Sequence, residues 1–339
     1  MSSSLSASGK LDRVRAALRG EAPDRPPYSF WTHLPGIDLD PQRLAQESAA
    51  FCRLYDLDFL KSMPNGLYCV EDWGAVCDYS DIASGGVAKV IEPAVKDPAD
   101  WPALERVDVT RGSFGRELEH LRLLVGLVGP GVPVLATVFS PLTIAGKLSD
   151  GASRAHIERA PEPVERGLET ITEVTCAFTR RALEAGCAGI FFALQEATRS
   201  AYDETAYRRF GEPYDRRVLA EAASHGGWFN TVHMHGEDIL FDVLEDYNAT
   251  ALNWHIGETP PSIAEYRRAG GAKPIVGGLQ RGHLTHRDQA GIVADLERAM
   301  QETGGRGILI APACVIRHPV DEGTLNWTAQ SIRSLASPR

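Results

Sequence analysis

Short β-rich apolar runs alternate with amphipathic helical stretches along nearly the whole chain. The runs are PPYSFW (26–31), LDFLKSM (57–63), VPVLATVFS (132–140), CAGIFFALQ (187–195), WFNTVHMHG (228–236), ATALNWH (249–255), KPIVGGLQ (273–280) and RGILIAP (306–312). Between them lie helical patterns such as PQRLAQESAAFCRLY and PVERGLETITEVTCAFTRRALEAG, many closed by glycine, a common helix stop. Strand–helix alternation predicts a parallel sheet, and eight units predict a single (β/α)8 TIM barrel, one domain over residues 1–339. The rival is an open doubly wound sheet, weakened because no G-x-G-x-x-G follows the first strand. Two stretches interrupt the alternation. Residues 65–95 read as a small β excursion over the barrel mouth, and 140–160 as a short helix, PLTIAGKL, followed by a polar, lid-like insertion.

The charge balance narrows the partners. With 35 Lys+Arg against 45 Asp+Glu the net charge is −10, which argues against nucleic acid or an anionic membrane. No run of about 18 apolar residues occurs, and the opening MSSSLSASGKLDR lacks an apolar signal core. Six scattered cysteines do not make a disulfide scaffold, so a reducing cytoplasm is expected.

In a barrel of this kind chemistry sits at the C-terminal ends of the strands. The fifth ends in His233-Met234-His235, whose imidazoles, two residues apart, face the same side. The eighth ends in Ala311-Pro312-Ala313-Cys314, the fourth in Gln195-Glu196 and the sixth in Asn253-Trp254-His255. His233, His235 and Cys314 have the softness for Zn²⁺ with a fourth position open. The spacing alone equally suits hydrogen-bonded histidines and a small buried cysteine. Glu196 reads as a general base, a fourth ligand, or a partner of Arg199. His255 reads as a catalytic group orienting substrate or the zinc shell, or as a structural histidine. Trp31 and His33 are candidates for the pocket wall. Asp72, in Glu71-Asp72-Trp73, caps the pocket or forms an exposed turn. Asn253 and Gln280 are further candidate substrate contacts. Arg281, His283 and His286 follow the seventh strand as anion contacts or a solvated helix start.

These residues resemble the uroporphyrinogen decarboxylase superfamily over nearly the whole chain. RVRAALRGEAPDRPP looks like its N-terminal segment, VEDWGAVCDY its acidic-aromatic-glycine segment, and FSPLTIAGKL the Pro-led helix of its methyltransferase branch. TVHMHG resembles the H-x-C-G strand end, IVGGLQ the Q-G-N-L-D-like strand and LIAPACVI the P-G-C-G-I-like strand. The resemblance to the zinc-dependent corrinoid and thiol methyltransferases implies His233 and Cys314 as zinc ligands, with His235 where that branch has Cys. It implies an acceptor thiol, a methyl donor that is a small methylated compound or a corrinoid on a separate protein, and commonly a homodimer. One thiolate with two neutral imidazoles leaves a zinc site at +1, where two thiolates would make it neutral. A more positive site lowers the pKa of a bound thiol or water and makes the thiolate a poorer nucleophile. That leaves room for a zinc–hydroxide lyase or hydrolase. A metal-free decarboxylase-like lyase is the other alternative. Against it, no Arg lies between Arg25 and Arg43, where the decarboxylases have an Arg-rich loop for propionates.

Overall fold

The computed structural model describes residues 9–84 and 86–335. Its strands are β1 (Leu60–Lys61), β2 (Val76–Asp78), β3 (Lys89–Glu92), β4 (Val134–Phe139), β5 (Gly189–Leu194), β6 (Thr231–Met234), β7 (Ala251–Trp254), β8 (Ile275–Leu279) and β9 (Ile308–Pro312). Seven of them form one parallel sheet in the order β1-β4-β5-β6-β7-β8-β9, so each crossover helix returns the chain to the neighbouring position. The strands are apolar on both faces because both are covered: all six residues of VLATVF and of GIFFAL are buried. Helices pack on the outer face, and a smaller apolar cluster including Trp31, Phe59, Leu135, Phe191, Val276 and Leu309 fills the inside of the curl.

The eight-stranded closure expected from the sequence is not built as regular strands. Residues 26–31 form no strand. They make one isolated parallel bridge instead, Tyr28 with Ile310, with Ser29 N donating to Ile310 O at 3.0 Å and Ile310 N to Pro27 O at 2.8 Å. On the other side Asp58 N donates to Tyr28 O at 3.0 Å. Pro26 and Pro27 carry no N–H, so a continuous ladder is denied to this segment. Ion pairs hold it in place. The fully buried Asp58 accepts from Arg13 Nη1 at 2.7 Å, from Arg25 Nη1 at 2.6 Å and from Tyr28 N at 3.0 Å. The result is a curled seven-stranded sheet with an irregular seam.

The first interruption is the expected β excursion, since β2 and β3 pair antiparallel. The second differs from its reading. Pro141–Leu148 is buried almost throughout, and Ser153–Arg159 is a further helix, with Trp101 Nε1 hydrogen-bonded to His156 Nδ1 at 3.1 Å. Of residues 140–160 only Lys147 lines the main cavity, so this insertion is packing and not a lid. No helix among the described residues is long and apolar enough to cross a membrane.

Candidate metal centre

Register places the site. Ala193 lies opposite His233, and His233 opposite Asn253, across β5, β6 and β7. One pleat further on, His235 and His255 leave the ends of β6 and β7 facing the same way, while Met234 and Trp254 point into the outer core. Gly236 follows at φ +97°, a left-handed turn that takes the chain off the strand straight after His235. Cys314 arrives from just beyond β9, where Ala313 N donates to Leu279 O at 2.8 Å.

One ligating atom from each of His233, His235, His255 and Cys314 lies within 4.8 Å of all the others. Cys314 Sγ is 3.6 Å from His235 Nδ1, and the His235 and His255 rings meet edge-on with centroids 4.9 Å apart. His233 Nδ1 is hydrogen-bonded to Asn253 Oδ1, whose orientation is set because Asn253 Nδ2 donates to Val276 O at 2.6 Å. The amide oxygen can only accept, so the proton sits on Nδ1 and the Nε2 lone pair is free for a metal. His255 is the mirror case: Nδ1 lies 3.5 Å from Glu258 Oε2, while the buried Nε2 has no hydrogen-bond partner. A buried ring nitrogen left without a partner costs free energy unless a ligand takes it up. The donor set, three imidazoles and a thiol, therefore fits a borderline cation such as Zn²⁺.

Charge agrees with that fit. Burial pushes His233 down to about 4, so it is neutral near pH 7. Burial alone would raise Cys314, but the surrounding imidazoles of His233, His235 and His255 hold the thiol well below its usual range. His255 is opposed by burial yet lifted to about 9 by the Cys314 thiolate and Glu258. Without a metal the cluster is thus a thiolate beside an imidazolium, and a divalent cation would enter by displacing that proton.

The cluster opens into a cavity of about 630 Å³ that also takes in Trp31, His33, Lys61, Gln195, Lys147 and Arg281. Trp31 packs edge-on to Phe191, with centroids 5.4 Å apart. His33 is pushed down to about 4, chiefly by burial. Ile82, Val87 and Ala88 of the β excursion form part of the wall, as expected of a cover.

Other sequence candidates go elsewhere. Asp72 is not on the cavity: its carboxylate accepts from Ser113 N at 2.8 Å and Phe114 N at 3.0 Å, at the start of helix Gly112–Val128. Glu196 packs against Gly146 and does not line the cavity, and Arg199 lies 3.9 Å from Asp238 instead. Gln280 donates to Asp295 from its backbone N at 2.8 Å and from Nε2 at 3.0 Å, and His283 joins it there at 2.8 Å. Asn253 sits behind His233 and does not line the cavity. Sequence reasoning missed Glu258, Lys61 and Lys147. The one available signal was Lys61 itself, a lysine at an inward position of a buried strand.

Fold and cluster together define a parallel α/β scaffold with a His/Cys centre at the strand ends. The chain belongs to the uroporphyrinogen decarboxylase (URO-D) family, whose model matches residues 10–335. Among solved structures it is similar to a methyltransferase from Methanosarcina mazei at 19% identity, with a TM-score of 0.81, covering 96% of this chain and 98% of that one. It is also similar to a B12-independent methionine synthase from Shewanella sp. W3-18-1 at 14% identity, TM-score 0.58, with 92% and 95% covered. A putative vitamin-B12-independent methionine synthase from Listeria monocytogenes matches at 15%, TM-score 0.55, with 86% of each chain covered. At these identities the likeness is one of fold. No curated protein matches the chain closely enough to count as a relative.

Proposed function

We propose that the chain acts as one domain and is a zinc-dependent alkyl transferase, most simply of methyl groups, with a small thiol as acceptor. The donor in this reading is a small methylated compound or a corrinoid carried by a separate protein. The observation that carries it is the convergence of His233, His235, His255 and Cys314 on one point. The methyltransferase and methionine synthases that share the fold support it. Zinc, when bound, would supply the Lewis acidity that keeps an acceptor thiol deprotonated at neutral pH. The chain's own residues do the rest. Asn253 fixes the tautomer of His233, and Cys314 contributes the negative charge. His255 is backed by Glu258, which in turn lies 3.7 Å from Arg281, so the carboxylate stays ionised and orients the ring. Trp31, Phe191 and Phe139 make the wall around the reacting atoms apolar, which limits water.

The test is elemental analysis of freshly purified protein beside His235→Ala and Cys314→Ala. About one zinc per chain, lost in both variants, is the expected result. Protein that takes up no zinc even from excess metal would overturn the reading.

A further inference from the structure

The chain has six lysines. Lys10 pairs with Asp56 at 2.6 Å and Lys96 with Glu92 at 2.6 Å; Lys89 pairs with Asp81, and Lys273 reaches the Glu245 carbonyl. Lys61 and Lys147 are different. Both line the cavity, and among the described residues neither has a carboxylate at ion-pair distance. Lys61 is only 8% exposed. Its Nζ donates to Ser62 O at 3.2 Å and to the weakly accepting Met63 Sδ at 3.0 Å, and lies 5.0 Å above the Phe191 ring. Burial pushes Lys61 down to about 7 against the opposing pull of Cys314 and Glu117. Its direct contacts are a carbonyl, a thioether and a ring face, so the amine has unused donors and no anion in direct contact. Of the carboxylates on the cavity wall, Glu258 is engaged by His255 and Arg281 and Glu237 is exposed; the buried Glu117 acts on Lys61 through charge without pairing with it.

We propose that Lys61 is the anchor for an acidic group on the substrate, so that the cavity takes a small thiol carrying a single carboxylate. The acidic end lies against Lys61 and the sulfur faces the His233–Cys314 cluster. The thiol half rests on the function proposed above; the carboxylate half rests on Lys61 alone. At Lys61 itself a carboxylate fits better than a phosphate, because one amine over an aromatic ring matches one negative charge and presents no fork of N–H donors to a dianion. The strand alternation that points Lys61 inward also points Met63 inward, and Ser62 turns away to hydrogen-bond Thr137. The ammonium is thereby set on a rigid strand and not on a mobile loop.

The test is calorimetric titration of the full chain with 3-mercaptopropionate, 2-mercaptoethanol and 3-(methylthio)propionate, for wild type, Lys61→Met and Lys61→Arg. Wild type should favour 3-mercaptopropionate over 2-mercaptoethanol by about tenfold or more. Lys61→Met should bring that preference close to unity at unchanged zinc content, and Lys61→Arg should restore part of it. If Lys61→Met does not fold, Lys61→Gln replaces it. No preference in wild type, or a preference surviving in the folded neutral variant, overturns the proposal. Metal-stripped protein separates the two readings. Binding of 3-(methylthio)propionate there, lost in Lys61→Met, supports the anchor even if zinc never binds. Failure of that binding while zinc still loads overturns the anchor and leaves the metal centre standing.

Discussion

At the scale of single residues, the chemistry depends on how few ways each polar group can satisfy itself. Asn253 has one amide edge given to Val276, so its oxygen must face His233. Asn253→Ala frees that imidazole to rotate, and zinc affinity measured by competition with a chelator should fall by about 10–100-fold with little loss of stability. Asp215 shows the same logic away from the site. It is fully buried, with Oδ2 accepting from Tyr207 at 2.6 Å and Tyr247 at 3.0 Å, while Oδ1 has no partner. Burial lifts its pKa to about 7 against the opposing pull of the tyrosines. A raised folded pKa means that the folded state holds the proton after the unfolded state has released it. This contribution is therefore fully present below about pH 4 and is lost as pH rises to about 7, on the order of 4 kcal/mol. Denaturant midpoints measured between pH 5 and pH 8 should fall in wild type and flatten in Asp215→Asn; an equal slope in both would refute the assignment.

At the scale of elements, strands and helices separate what was legible from what was not. The inner strands were readable because a strand covered on both faces must be apolar throughout, and CAGIFFALQ and RGILIAP are. The H-x-H spacing and the terminal Cys314 were readable for the related reason that alternation fixes which residues share a side. His255 was placed near the site, but its membership of the cluster needed the β6–β7 register, which no local pattern carries. Asp72 misled because an acidic residue in a turn looks the same whether it faces a ligand or caps a helix far away in the chain, as it does here at Ser113 and Phe114. Here Gly112, at φ +56°, leaves room for the carboxylate: a Cβ there would sit 1.9 Å from Asp72 Oδ1. Asp72→Ala should cost about 1–2 kcal/mol in chemical denaturation, as expected for a lost N-terminal cap. Zinc content and ligand affinity should not change.

At the scale of the whole molecule, the seam between the ends of the sheet is held by charge more than by a ladder. Arg13, Arg25 and Asp58 come from separate parts of the chain, so nothing in the local sequence around PPYSFW announced how it would be fixed. Removing Asp58 would leave buried guanidinium groups with less compensation. Asp58→Ala should therefore destabilise the fold by about 3–5 kcal/mol and lower Tm by roughly 10 °C in a thermal melt. A loss under 1 kcal/mol would mean that the backbone bonds to Ile310 hold the seam alone.

The alternation along β6 and β7 has a historical meaning as well as a mechanical one. Met234 and Trp254 face the packed outer layer, while His233, His235, Asn253 and His255 face the cavity side. Selection can thus edit the donor atoms without disturbing the contacts that keep the strands in place. A lineage is free to trade imidazole for thiolate at position 235, changing the charge of the centre and the reactions open to it, while the scaffold is inherited intact.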